Sequence, residues 1–141
     1  MSRFRLAGLL RLRKMQEDTA AAELARRSMH RRESERLESK ALAAIGEHRL
    51  EASGSAESWI ASVAARSAYS ASVDMARAAV GEAIEAETAA QLVYRAAKQK
   101  ATTLDKLESR HIEAERAEEE RVEQQVLDEL ATQRAFRGEA T

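Results

Sequence analysis

Apolar residues recur along this chain in alternating steps of three and four. From Val73 the line runs through Ala76, Val80, Ala83, Glu87, Ala90, Tyr94, Ala97 and Ala101 to Leu104, with Glu87 its one charged intrusion. A mean spacing near 3.5 residues keeps one stripe turned toward a partner helix, so this line predicts the seam of a coiled coil. Beyond His111 it slips by one residue, to Ile112, Val122, Val126 and Leu130. The first part of the chain offers Leu6, Leu10, Arg13, Glu17, Ala20 and Leu24, then Leu37, Ala41, Ala44 and Ile45. A seam this rich in alanine lets helices approach closely but buries little area, at about 25 cal/mol per Å².

Helical pattern starts at Ser2, an N-cap residue type, and runs to about Ala52. Ser53-Gly54-Ser55 is a small polar cluster of the kind that ends helices. Helix resumes near Ala56 and continues to about Phe136, before Gly138. Ser70 and Ser72 are further candidate caps, leaving room for a short extra helix near the bend. The expected organisation is one domain: helix over about 3–52, bend and short helix over about 53–70, helix over about 71–136, and a frayed tail at 137–141. Trp59 and Tyr69 are read as covering the bend, a partner-facing Tyr69 being the other reading. Helices of roughly 70 and 120 Å do not persist alone in water and need a partner along their length. The predicted fold is all-α, an antiparallel two-helix coiled-coil hairpin.

Composition narrows the function. Thirty alanines account for about half of the 44% hydrophobic content, and there are five aromatic residues, no proline and no cysteine. That is thin material for a globular core and typical of long helices. Without cysteine there is no disulfide, thiolate metal site or redox motif. A net charge of −1 argues against nucleic-acid binding. It conceals an asymmetry: residues 1–36 hold ten basic and five acidic side chains, residues 107–141 five and ten. If the chain folds back on itself, its basic first third is expected to lie against its acidic last third. No apolar run approaches a membrane span, and charges interrupt the start too often for a signal peptide.

No catalytic chemistry is predicted. His30, His48 and His111 are too scattered for a helical metal pair and are read as solvated. His111-Ile112-Glu113 has the H-x-E of zinc deaminases without the required P-C-x-x-C. There is no phosphate-binding glycine loop, so neither cofactor nor metal is expected. Arg26-Arg27 and Arg31-Arg32 sit within reach of acidic residues, with Glu23–Arg27 and Arg31–Glu35 spaced as i,i+4 pairs.

What remains is interaction. Phe4-x-Leu6-x-x-Leu9-Leu10-x-x-Arg13-x-x-x-Glu17, followed by Ala20, Ala21, Leu24 and Ala25, resembles the opening of the flagellar export protein FliJ family. Glu123-x-Gln125-x-Leu127-Asp128-Glu129-Leu130-Ala131 looks like that family's close, and the Trp59-Ile60 pair, just before the second long helix, agrees with it as well. The resemblance implies a coiled coil similar to the central stalk of rotary ATPases. Such a stalk sits in the pore of the hexameric flagellar type III export ATPase and promotes its assembly. It also implies contact with the cytoplasmic domain of the export gate, export chaperones as partners in some members, and a cytoplasmic place at the inner face of the cell membrane. Carried over by motif, the ATPase-binding end comprises Phe4, Leu6, Leu9, Leu10, Arg13, Leu127, Leu130 and Phe136. The gate-facing set is Leu42, Ile45, Arg49, Tyr69, Ser72 and Ala76, of which Ile45 and Arg49 depart from the family's aromatic preference. Two other readings are a self-associating coiled-coil scaffold and a helical-hairpin export chaperone. A scaffold wants seams along its whole length, whereas a stalk concentrates uncovered apolar residues at its ends.

Overall fold

A computed structural model describes residues 3–50 and 54–139. It contains two α-helices, α1 (Ala7–Glu47) and α2 (Ala56–Glu139), and no strand among the described residues. By its contacts the chain divides into two units, residues 16–97 and residues 1–15 with 98–141. In each unit a stretch of α1 packs antiparallel to a stretch of α2.

In the unit of residues 16–97, the predicted line on α2 is the seam. Val73, Ala83 and Ala90 are buried, and Ala76, Val80, Glu87, Tyr94 and Ala97 are half-buried. On α1, Ala20 is buried and Leu24, Ala41, Ala44 and Ile45 are half-buried. Leu37 departs from expectation and is exposed, while Ser28, Arg31, Ser34 and Glu38 take the seam positions around it. Glu87 explains the polar stretch. Arg31 crosses from α1 and donates its Nε to the Glu87 carboxylate at 2.5 Å and its Nη1 to Glu35 at 2.6 Å. The charged intrusion on one helix is thus answered by the charged intrusion on the other. Those hydrogen bonds, Glu35's first and Glu87's second, hold the Arg31 guanidinium above its ordinary pKa.

The helix ends near the bend follow local chemistry. Ser55 caps α2: its Oγ accepts from the Ser58 backbone N–H at 3.2 Å, and its carbonyl from Trp59 N–H at 3.1 Å. Gly54 has φ 150°, a conformation L side chains rarely adopt. The expected cap at Ser2 and break at Ser53 lie outside the described residues. Helix α1 stops at Glu47, short of the expected Ala52. His48 there leaves the helix to donate Nε2 to the Ser62 carbonyl at 3.1 Å, and its ring meets Tyr69 at 5.2 Å. No separate short helix forms: α2 runs unbroken from Ala56, and Ser72, a candidate cap, donates its Oγ to the Ala68 carbonyl within the helix instead. Residues 137–139, expected in the tail, are helical.

In the other unit, Leu10, Ala101 and Leu104 are buried, and Phe4, Ala7, Arg13, Glu108, His111 and Glu115 are half-buried. The seam keeps its frame past His111 and does not slip to Ile112, which is exposed. Lys14 pairs with Asp105 at 3.2 Å, and the Phe4 ring sits 5.6 Å from the His111 ring. Residue 4 therefore lies beside residue 111, and every described residue from Arg116 to Glu139 is exposed. Within this unit the basic start therefore meets the acidic last third only as far as Glu115, and the expected matching of the two does not extend to residues 116–139.

Two of the interhelical ion pairs are open to water, Lys14 and Asp105 each 55% exposed and Arg77–Glu38 spanning 3.7 Å, and Arg31–Glu87 is half-buried. Exposed pairs contribute about 0–1 kcal/mol, and screening shortens from about 10 Å at 0.1 M salt to about 3 Å at 1 M. The melting temperature is accordingly expected to move by less than about 3 °C over that range. A collapse of the circular-dichroism melt in high salt would show that charge pairing, and not the alanine seam, holds the helices together.

Candidate interaction surfaces

The residues expected at the ATPase-binding end divide by exposure. Leu6, Leu9, Leu127, Leu130 and Phe136 are exposed, Phe136 at 71%. Phe4 and Arg13 are half-buried. Leu10 is 4% exposed and belongs to the seam. Helical spacing separates the two leucines: Leu10 falls one turn from Arg13 on the inner stripe, and Leu9 is rotated about 100° away from it.

Past the paired region, α2 carries Val122, Val126 and Leu130 on one stripe with Leu127 on its flank, all exposed. Val122 and Val126 were visible as part of the apolar line, but belong to no expected site. Around them Arg121 donates twice to Glu118, at 2.7 and 2.9 Å, and Gln124 to Asp128 at 2.9 Å. The Arg121 hydrogen bonds hold the Glu118 carboxyl below its ordinary pKa. A lowered carboxyl pKa favours the helix above the unfolded pKa, and the contribution is lost as pH falls through the lowered value.

Near the bend, within the unit of residues 16–97, Leu42, Arg49 and Ser72 are exposed, Ile45 is half-buried, and Ala76 is half-buried on the seam line. Tyr69 combines the two sequence readings: one side meets His48, yet the residue is 38% exposed. Trp59 is 47% exposed and leaves much of its surface uncovered. Leu50, Ile60 and Val63 are exposed beside them, and Ile45, Leu50, Val63 and Arg66 line a shallow groove. Leu50 was not among the expected positions: the sequence placed it inside the first helix, whereas α1 ends at Glu47.

Of the histidines, His30 is exposed as expected. His48 and His111 are not simply solvated: both are half-buried on the seam, against Tyr69 and Phe4, and His111 Nε2 lies 3.5 Å from Glu115. Sequence spacing could have placed His111, which falls seven residues after Leu104 on the heptad line. Exposed apolar residues are not confined to the expected sites; Met75, Ile84, Leu92 and Val93 also face solvent. Among the described residues no group of three or more His, Cys, Asp or Glu could hold a metal ion, and no helix is long and apolar enough to cross a membrane.

Compared with known proteins, the chain matches one family model, described as Flagellar FliJ protein, over residues 1–140. No curated protein and no solved structure matches it.

Proposed function

The chain belongs to the flagellar FliJ family, a component of the flagellar export apparatus, and from that premise we propose that it serves as the stalk of the export ATPase. In this reading the hairpin binds the ATPase hexamer through Leu6, Leu9, Leu127, Leu130 and Phe136, favours the assembled ring and raises its activity. It contributes no catalytic group of its own. The surface around Leu42, Tyr69, Trp59 and Ile60 faces the cytoplasmic domain of the export gate, and export chaperones are further partners. The chain works in the cytoplasm, held at the inner face of the membrane by the apparatus.

One observation carries the reading: α2 overruns α1 and presents an apolar stripe that no described residue of α1 covers. Apolar surface left in water at the end of a two-helix seam is stabilised by entering a partner's concave site. A stalk without a nucleotide site can act only through contacts that differ between states of the ring. Purified export ATPase is expected to gain activity with the intact chain and to lose that gain with Leu6→Ser, Leu9→Ser and Leu130→Ser combined. Truncating central apolar anchors costs about 2 kcal/mol or more each, so binding should weaken by tenfold or more, roughly. Full stimulation by a triple variant with unchanged melting would remove the stalk reading in favour of the scaffold.

A further inference from the structure

We propose that the Arg31–Glu87 ion pair is the key that fixes how α1 is aligned along α2 in the unit of residues 16–97, and with it the shape of the groove near the bend. The proposal does not rest on the stalk reading.

The uncharged part of this seam discriminates poorly between alignments. Its inward positions are mostly alanine and serine, and small side chains repeated at heptad spacing offer little shape to interlock, so a slide of one turn or one heptad changes their packing little. Charge does discriminate. Among the buried and half-buried residues of α2 from Ser58 to Ala97, Glu87 alone is charged. Among those of α1 from Glu17 to Ile45, Arg31 is the one cation, and the other charged residues, Glu17, Glu23, Glu35 and Glu38, are all acidic. One alignment therefore gives Glu87 a cation. Sliding α1 one way sets Ser28 and then Leu24 opposite Glu87, leaving its carboxylate unpaired. Sliding it the other way sets Glu35 and then Glu38 there, carboxylate against carboxylate. Both are penalised where water is largely excluded, and the Glu87 side chain is only 14% exposed. A polar group on an otherwise apolar seam specifies register in just this way. The Arg77–Glu38 pair agrees with the same alignment, but at 3.7 Å and open to water it adds little.

What depends on the alignment is the surface near the bend. Ile45 and Leu50 from one side and Val63 and Arg66 from the other line a single groove. His48, just past the end of α1, reaches the Ser62 carbonyl and the Tyr69 ring on α2. A slide of one turn carries the two sides of that groove about 6 Å past each other and breaks both His48 contacts. The connection does not itself forbid the slide, because residues 48–55 between the helices can span about 25 Å when extended. Arg31 lies about 25 Å along the chain axis from His48. The ion pair is thus a positioning device that acts on the groove through the rigid length of α1.

Electron–electron distance measurement on the full chain is the test. The chain has no cysteine, so nitroxide labels can be placed at Met29→Cys and Met75→Cys, where both methionines are exposed. These sites flank the ion pair and lie about 20 Å apart along the axis, so a slide changes their separation by most of its length. The otherwise unaltered chain is expected to give one distance. Arg31→Ala combined with Glu87→Ala removes the key without stranding a charge; it should stay helical by circular dichroism and add distances displaced by about 6–10 Å, one turn or one heptad. Glu87→Arg should move α1 in one direction only, because Glu35 then comes opposite residue 87 and Arg31 opposite Gln91, lengthening the distance by about 5 Å. A single unchanged distance in the double alanine variant would show that uncharged packing sets the alignment. An unmoved distance in Glu87→Arg would show the same, and loss of helix in the double alanine variant would show that the pair holds the fold rather than aligns it. Each of these three results overturns the proposal.

Discussion

Ala83→Glu is expected to lower the stability of the hairpin by about 3 kcal/mol or more, the order of cost for an uncompensated charge in a buried site. Ala83 is 2% exposed, the least exposed residue of the seam. A methyl group there lets the helices approach; a glutamate adds volume where the seam has none to spare. Its carboxylate would also lie one turn from Glu87, whose partner Arg31 is already shared with Glu35. The control is Ala79→Glu, exposed on the same helix four residues earlier, which should change stability by no more than about 0.5 kcal/mol. Urea melts followed by circular dichroism read the difference. Equal midpoints for the two variants would show that the seam is not closed at Ala83.

Leu10→Ala is expected to cost about 2–3 kcal/mol, the lower part of the range for truncating a buried leucine. A two-helix seam can relax around the gap and admit water, which keeps the cost from the upper end. The corresponding fall in melting temperature is about 5–10 °C for a chain of this size. Leu9→Ser, at a residue 38% exposed, should leave the melt within about 2 °C of the parent, since surface substitutions shift stability little. Treated as a pair, Leu9 and Leu10 would confound binding with folding. Separating them assigns Leu10 to the hairpin and leaves Leu9 for the partner. A larger fall for Leu9→Ser than for Leu10→Ala would reverse that assignment.

The contrast between adjacent leucines shows what kind of information the sequence carried. Every member of the line from Val73 to Leu104 is buried or half-buried as expected, because heptad spacing alone fixes which side of α2 faces inward. Local pairs were equally legible: Glu23–Arg27 and Arg31–Glu35 both form, at 2.7 and 2.6 Å, since i,i+4 neighbours meet on any helix. The resumption of helix near Ala56 was read from the Ser53-Gly54-Ser55 break, whereas the cap that starts it, Ser55, and its continuity through Ser70 and Ser72 emerged only in the structure. Membership of the flagellar FliJ family was likewise legible from the terminal motifs and is supported over residues 1–140.

What the sequence left open depends on which residues of α1 meet which residues of α2. Periodicity gives each helix an inner face but no alignment between helices. The cross-helix pairs Arg31–Glu87 and Lys14–Asp105, and the ring contacts of His48 and His111, exist only once that alignment is set. The same alignment determines that α1 begins beside residue 111, so that α2 continues unpaired past Glu115. By itself the chain determined a helical hairpin, the inner face of α2 from Val73 to Leu104, and the family. Only the tertiary structure decided that Leu6 and Leu37, on the same expected line as Leu10, are surface, and that Val122, Val126 and Leu130 stand in water, because burial depends on what lies opposite.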